Sequence, residues 1–109
     1  MSGALATPRV RIPKSARAGE VIEIRTLIEH RMETGLRHEG GRLAPRDMLH
    51  RLLVRMNGEM LFVAEMRNGT SANPYHVFFA RISKTSEFTF VWSDEQGRSV
   101  TASARVTVG

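Results

Sequence analysis

The 109-residue chain contains no cysteine. That absence excludes a disulfide framework, a thiolate metal site, a blue-copper site and a cysteine nucleophile. It leaves the compartment open, because only disulfides that are present point to an oxidising one. No apolar run approaches the roughly 20 residues that a membrane-spanning helix needs. Residues 1–8 have neither the basic nor the apolar region of a signal peptide and read as a flexible lead-in to a single domain over 9–109. There is no HExxH, GxSxG, P-loop or dinucleotide fingerprint. Aromatic residues make up only 6% of the chain and fall on core-type alternations, so they build no stacking platform for nucleic acid. Lysine is scarce as well.

The positive charge present is arginine. Of 16 Lys+Arg, only Lys14 and Lys84 are lysines, and they stand against 11 Asp+Glu for a net charge of +5. Residues 1–55 hold 11 of the cations against 6 acids, while residues 56–109 hold 5 against 5. The excess therefore lies in the first half. Guanidinium is a rigid planar fork that suits carboxylates, sulfate-like oxyanions and protein interfaces, although codon usage alone would also produce it. A hydrophobic content of 41% is ample for a packed globular core.

That apolar content is patterned at period two. Ile22, Ile24, Thr26 and Ile28 point one way, with Glu23, Arg25 and Glu29 on the opposite face. Phe88, Phe90 and Trp92 alternate with Thr89, Val91 and Ser93. Val100, Ala102, Ala104, Val106 and Val108 alternate with Thr101, Ser103, Arg105 and Thr107. Val10–Ile12 is a short strand between Pro8 and Pro13, and Tyr75–Ile82 is a strand whose inward set is Phe78, Ala80 and Ile82. Turn signals separate these runs: Ala18-Gly19, Asn57-Gly58, Asn68-Gly69, Asn73-Pro74 and Asp94–Gly97. About seven strands in one domain predict an all-β, antiparallel sandwich.

One segment reads two ways. Leu49, Leu52, Leu53 and Met56 follow helical spacing behind Pro45-Arg46-Asp47, and this is the stronger of its two patterns. At period two the same stretch puts Met48, His50, Leu52, Val54 and Met56 on one face. Some strands are apolar on both faces: Val21 and Leu27 lie opposite the Ile22 face, and Leu49 and Leu53 opposite Leu52 and Val54. A second apolar stripe implies a covered outer face.

Chemistry-bearing residues gather near His30. His30, Glu33 and Thr34 supply a base, a carboxylate and a hydroxyl, but closeness in sequence does not hold a base against a nucleophile. A structured turn is the expected reading. His30/Met32 and Met48/His50 are i, i+2 pairs, and on strands such pairs would offer an imidazole–thioether site for copper. The stretch from His30 to Arg46, with Gly35, Gly40, Gly41 and Pro45, is a long irregular loop.

At Ile28-Glu-His-Arg-Met-Glu-Thr-Gly-Leu-Arg37 the sequence resembles the SoxZ family, one subunit of the SoxYZ sulfur carrier of bacterial thiosulfate oxidation. The matching residues are His30, Met32, Glu33, Thr34, Gly35 and Arg37. Further agreement follows in order at Pro45, Asn57-Gly58, Ser71 with Asn73-Pro74, and Val91-Trp92-Ser93-Asp94 with Gly97. The resemblance covers roughly residues 9–108. It implies an immunoglobulin-like sandwich in which residues 48–56 form a strand. It also implies a non-catalytic subunit without metal or cofactor, bound to SoxY, whose cysteine carries the sulfur intermediates to other Sox enzymes.

From the same resemblance come periplasmic localisation by co-export with SoxY and a partner-recognition role for His30, Arg31, Met32, Glu33, Thr34, Gly35 and Arg37. An uncovered interface would make the isolated chain self-associate. Arg31, Arg37 and Arg42 are expected to form a positive patch that steers anionic partners. The reading from a different class is a periplasmic copper-binding sandwich using His30, Met32, Met48 and His50.

Overall fold

The computed structural model describes residues 5–109 and contains ten strands among them. They are β1 (Arg9–Arg11), β2 (Ser15–Ala16), β3 (Glu20–Leu27), β4 (His38–Glu39), β5 (Arg42–Leu43), β6 (Leu49–Met56), β7 (Glu59–Glu65), β8 (Tyr75–Ile82), β9 (Ser86–Asp94) and β10 (Ser99–Val108). Five of these, β1, β3, β8, β9 and β10, match strands read from the alternation; β6 matches the strand that the family resemblance implied, and β7 follows the Asn57-Gly58 turn. The other three are only two residues long. A three-stranded sheet, β1-β3-β8, faces a five-stranded sheet, β2-β10-β9-β6-β7, and β4-β5 is a separate hairpin. The molecule is an all-β sandwich. Residues 1–4 of the expected lead-in lie outside the described residues, and Leu5 packs against the core.

Pairing is antiparallel except that β2 runs parallel to β10, which departs from the all-antiparallel expectation. The cause is a strand that changes sheets. Arg9–Arg11 pairs with β3, and Ser15–Ala16 pairs with β10 on the opposite layer. Pro13 lies between the two and has no N–H to donate to a ladder, so pairing stops there.

The helix expected from the spacing of Leu49, Leu52, Leu53 and Met56 is absent. That stretch is the strand β6. Between Leu49 and Arg51 the register with β9 slips by one residue, Leu49 opposing Asp94 and Arg51 opposing Ser93. A bulge of this kind turns a three-residue spacing into two side chains on one face. Leu49 and Leu52 are accordingly both fully buried, and Leu49 does not join Leu53 on the outer face.

Elsewhere the period-two pattern holds. Ile22, Ile24, Thr26 and Ile28 are buried, as are Phe78, Ala80 and Ile82 from β8 and Phe88, Phe90 and Trp92 from β9. Each of these large apolar side chains contributes about 1.5–3 kcal/mol by leaving water. Phe62 of β7 stacks on Phe78 of β8 with ring centroids 4.2 Å apart, which closes one side of the sandwich where no ladder joins the sheets. Asn57 and Gly58, at φ 54° and 84°, make the tight β6–β7 turn that their sequence signalled.

Candidate functional site

The His30–Arg37 segment lies at one end of the sandwich and is braced on three sides. His30 N–H donates to Asn73 Oδ1 (2.9 Å), and its carbonyl accepts Asn73 N–H (2.8 Å). Glu33 and Asp47 exchange two backbone hydrogen bonds of 2.8 Å. Gly35 sits at φ 84°, where a Cβ would lie 3.0 Å from Arg46 Cβ, so both backbone sign and space call for glycine. The Arg46 guanidinium ties Thr34 O, Glu95 and Asn68 together at 2.7–2.9 Å.

The individual groups are largely occupied. His30 is almost fully buried at its ring, and Met32 N–H donates to its Nδ1 (3.0 Å). Its Nε2 faces Asp47 Oδ1 at 3.4 Å without an aligned hydrogen bond. Met32 is buried at φ 54°. The Glu33 carboxylate is held by Arg37, whose guanidinium also binds Glu39; Arg37 keeps Glu33 below the usual carboxylate range. Thr34 Oγ1 accepts the Leu36 N–H. Base, carboxylate and hydroxyl therefore do not converge. Asp94 anchors the neighbouring turn: burial pushes its carboxyl up, but bonds from the Arg98 backbone and side chain and from Gln96 N–H outweigh this and hold it low.

The imidazole–thioether reading gains nothing from this geometry. Met48 and Met32 are core residues, and His30 Nδ1 is taken by backbone. Among the described residues, no three His, Asp or Glu side chains come together in a way that would hold a metal ion. The expected Arg31, Arg37, Arg42 patch is also altered, since Arg37 is neutralised by two glutamates.

The feature with unmet bonding capacity is the outer face of the three-stranded sheet. Val21 of β3 and Tyr75, Val77 and Phe79 of β8 are 49%, 54%, 40% and 62% exposed, unusual for large apolar side chains in register on one face. Arg9 and Arg11 of β1, Arg25 of β3 and Arg81 of β8 share that face with Glu23. Arg11 stands directly opposite Arg25, a like-charge cross-strand pair that costs stability. The sequence showed half of this face, through Val21 and Leu27. Tyr75, Val77 and Phe79 also alternate in the sequence, opposite the inward Phe78 set, but were not read there as an outer stripe.

The model of the family described as sulphur oxidation protein SoxZ matches residues 10–105. The chain belongs to the SoxZ family. Among solved structures, superoxide reductase (neelaredoxin) from Ignicoccus hospitalis superimposes with a TM-score of 0.72 at 15% identity, covering 96% of this chain and 82% of that one. The sulfur carrier protein SoxY from Chlorobium limicola f thiosulfatophilum superimposes with a TM-score of 0.65 at 12% identity, covering 93% and 74%. At these identities the likeness concerns the fold alone. Comparison with curated protein sequences finds no match. The SoxZ match runs from within β1 to within β10 and includes the braced turn and the exposed β3–β8 face.

Proposed function

We propose that this SoxZ-family chain is the non-catalytic subunit of the SoxYZ carrier. It binds SoxY through the outer face of β3 and β8 and helps present SoxY's cysteine-bound sulfur intermediates to other Sox enzymes. The observation that carries the docking surface is the run of Tyr75, Val77 and Phe79 left in solvent along β8. Aromatic residues and arginine are the types enriched where protein interfaces bury their anchors, and this face has both. The family match supports SoxY as the partner. A periplasmic location, reached together with SoxY, belongs to the same proposal.

The braced turn serves this reading indirectly. Its inward members, His30, Met32 and Gly35, set the shape of the sandwich end, with Arg37 spent on Glu33 and Glu39, while Arg31 offers an exposed cation for recognition. The test is to mix the chain with SoxY and follow both size and amide exchange. A one-to-one complex that protects the exposed edge amides of β8 supports the proposal. A chain that stays monomeric beside SoxY overturns it, and protection confined to the five-stranded sheet overturns the choice of face.

A further inference from the structure

The geometry points to an oxyanion-binding site between β1 and β3, built by Arg9, Arg11, Arg25 and Tyr75 and suited to a dianionic tetrahedral group. A depression of about 300 Å³ is lined by these four residues with Thr26 and Leu27. A second hollow adjoins it and shares Arg11 and Arg25. The ladder registers place Arg11 opposite Arg25, and Arg9 and Tyr75 on either side of Leu27, so all four emerge on one face.

Charge bookkeeping sets the ligand. Among the described residues, Arg25 bonds the Glu23 carboxylate (3.2 Å), whereas the side chains of Arg9 and Arg11 have no hydrogen-bond or ion-pair partner. Glu23 and then Tyr75 favour the charged form of Arg25, so the cation next to the hollow is secure. Three guanidiniums less one carboxylate leave two positive charges around the depression, which a dianion neutralises. Guanidinium forks and a phenolic O–H supply donors for several oxygens at once. Such a ligand would also relieve the Arg11–Arg25 repulsion, which nothing within the fold offsets at Arg11. The site lies at the β1 margin of the same face and shares Tyr75 with the apolar β8 stripe.

The group has two sources, a free ion or the end of a side chain on a docked protein. Titrating the isotope-labelled chain with sodium sulfate, and separately with a blocked phosphoserine tripeptide, distinguishes them. Sodium chloride at matched ionic strength removes the screening contribution. The expected result is saturable shifts confined to Arg9–Arg11, Arg25 and Tyr75, with affinity reduced about tenfold in Arg11→Gln and in Arg9→Gln and unchanged in Arg105→Gln. Saturation by sulfate marks a free ion, and saturation by the tripeptide alone marks a carried group; either supports the site. Shifts that spread over the surface, fail to saturate with both probes, or persist unchanged in both β1 variants overturn it.

Discussion

The two outer faces of the sandwich treat their charges in opposite ways. On the five-stranded sheet, Arg105 of β10 stands opposite Glu87 of β9 and bonds it at 2.6 Å, and Arg51 of β6 stands opposite Glu65 of β7. The remaining outward positions of β9 and β10 are mainly Ser and Thr. On the three-stranded sheet, Arg11 opposes Arg25, Glu23 opposes Phe79 and Arg81 opposes Val21. The five-stranded face meets these two arginines with glutamates across its own strands, although it also sets Arg55 opposite Met60 and leaves Met60 and Val63 exposed on β7. The other leaves cations and apolar rings without cross-strand complements, which is what a surface that expects a partner looks like.

The largest expected effect breaks the contrast at its apolar end. Phe79→Asp places a carboxylate in the middle of the β8 stripe, and it should weaken the complex with SoxY by about 30- to 100-fold, the loss typical of a buried aromatic anchor. Thr101→Asp, an equivalent insertion on the five-stranded face, should leave that affinity unchanged. Both positions are solvent-exposed, so melting of the isolated chain should move little in either case. Titration calorimetry with SoxY measures the difference. Equal affinities for the two variants would mean that the exposed rings are not the contact.

A smaller effect reverses the charge logic of each face. Arg11→Glu converts the like-charge pair with Arg25 into a complementary one and should stabilise the isolated chain by about 0.2–1 kcal/mol. Glu87→Arg does the converse opposite Arg105 and should destabilise by a similar amount. The gain in Arg11→Glu comes with loss of sulfate binding at the β1 hollow. Denaturant melts on the three proteins read the signs directly. A destabilised Arg11→Glu would show that the arginine pair is already accommodated within the fold.

Much of this architecture was legible from residue order. The alternation of β9 and β10 gave both strands and their inward sets, and Asn57-Gly58 gave the β6–β7 turn, because each signal is local. At β6 the same logic failed: a bulge inserts one residue, and period two then imitates period 3.6. Val21 and Leu27 disclosed one half of the exposed face. The other half, on β8, and the basic margin on β1 depended on knowing that β1 and β8 flank β3, a non-local pairing that no spacing encodes. The His30–Arg37 turn stood out as a cluster of reactive residue types. The contacts that occupy it come mainly from Arg46, Asp47 and Asn73, up to 43 residues away.

The smallest expected effect separates the two sheets by pH. His76 is on the inward side of β8, edge-on to Phe62 at 6.3 Å, with its Nδ1 buried and without a hydrogen-bond partner. Burial lowers its pKa below the ordinary 6.5, and no carboxylate in contact opposes this. The folded chain therefore resists a proton that the unfolded chain accepts. Stability is fully retained above the unfolded value near 6.5 and declines as pH falls through it toward the lower folded value. His76→Phe removes the titrating group while keeping a ring against Phe62. Melting from about pH 7.5 to about pH 5.5 should fall less steeply in this variant than in the parent. Over the same interval, amide protection factors, which are taken relative to the intrinsic exchange rate at each pH, should fall first along β8 and hold in β9 and β10, since their buried faces are Phe88, Phe90, Trp92 and Val106. Loosening that began in β9 or β10 instead would place the pH-sensitive element in the five-stranded sheet and undo the contrast.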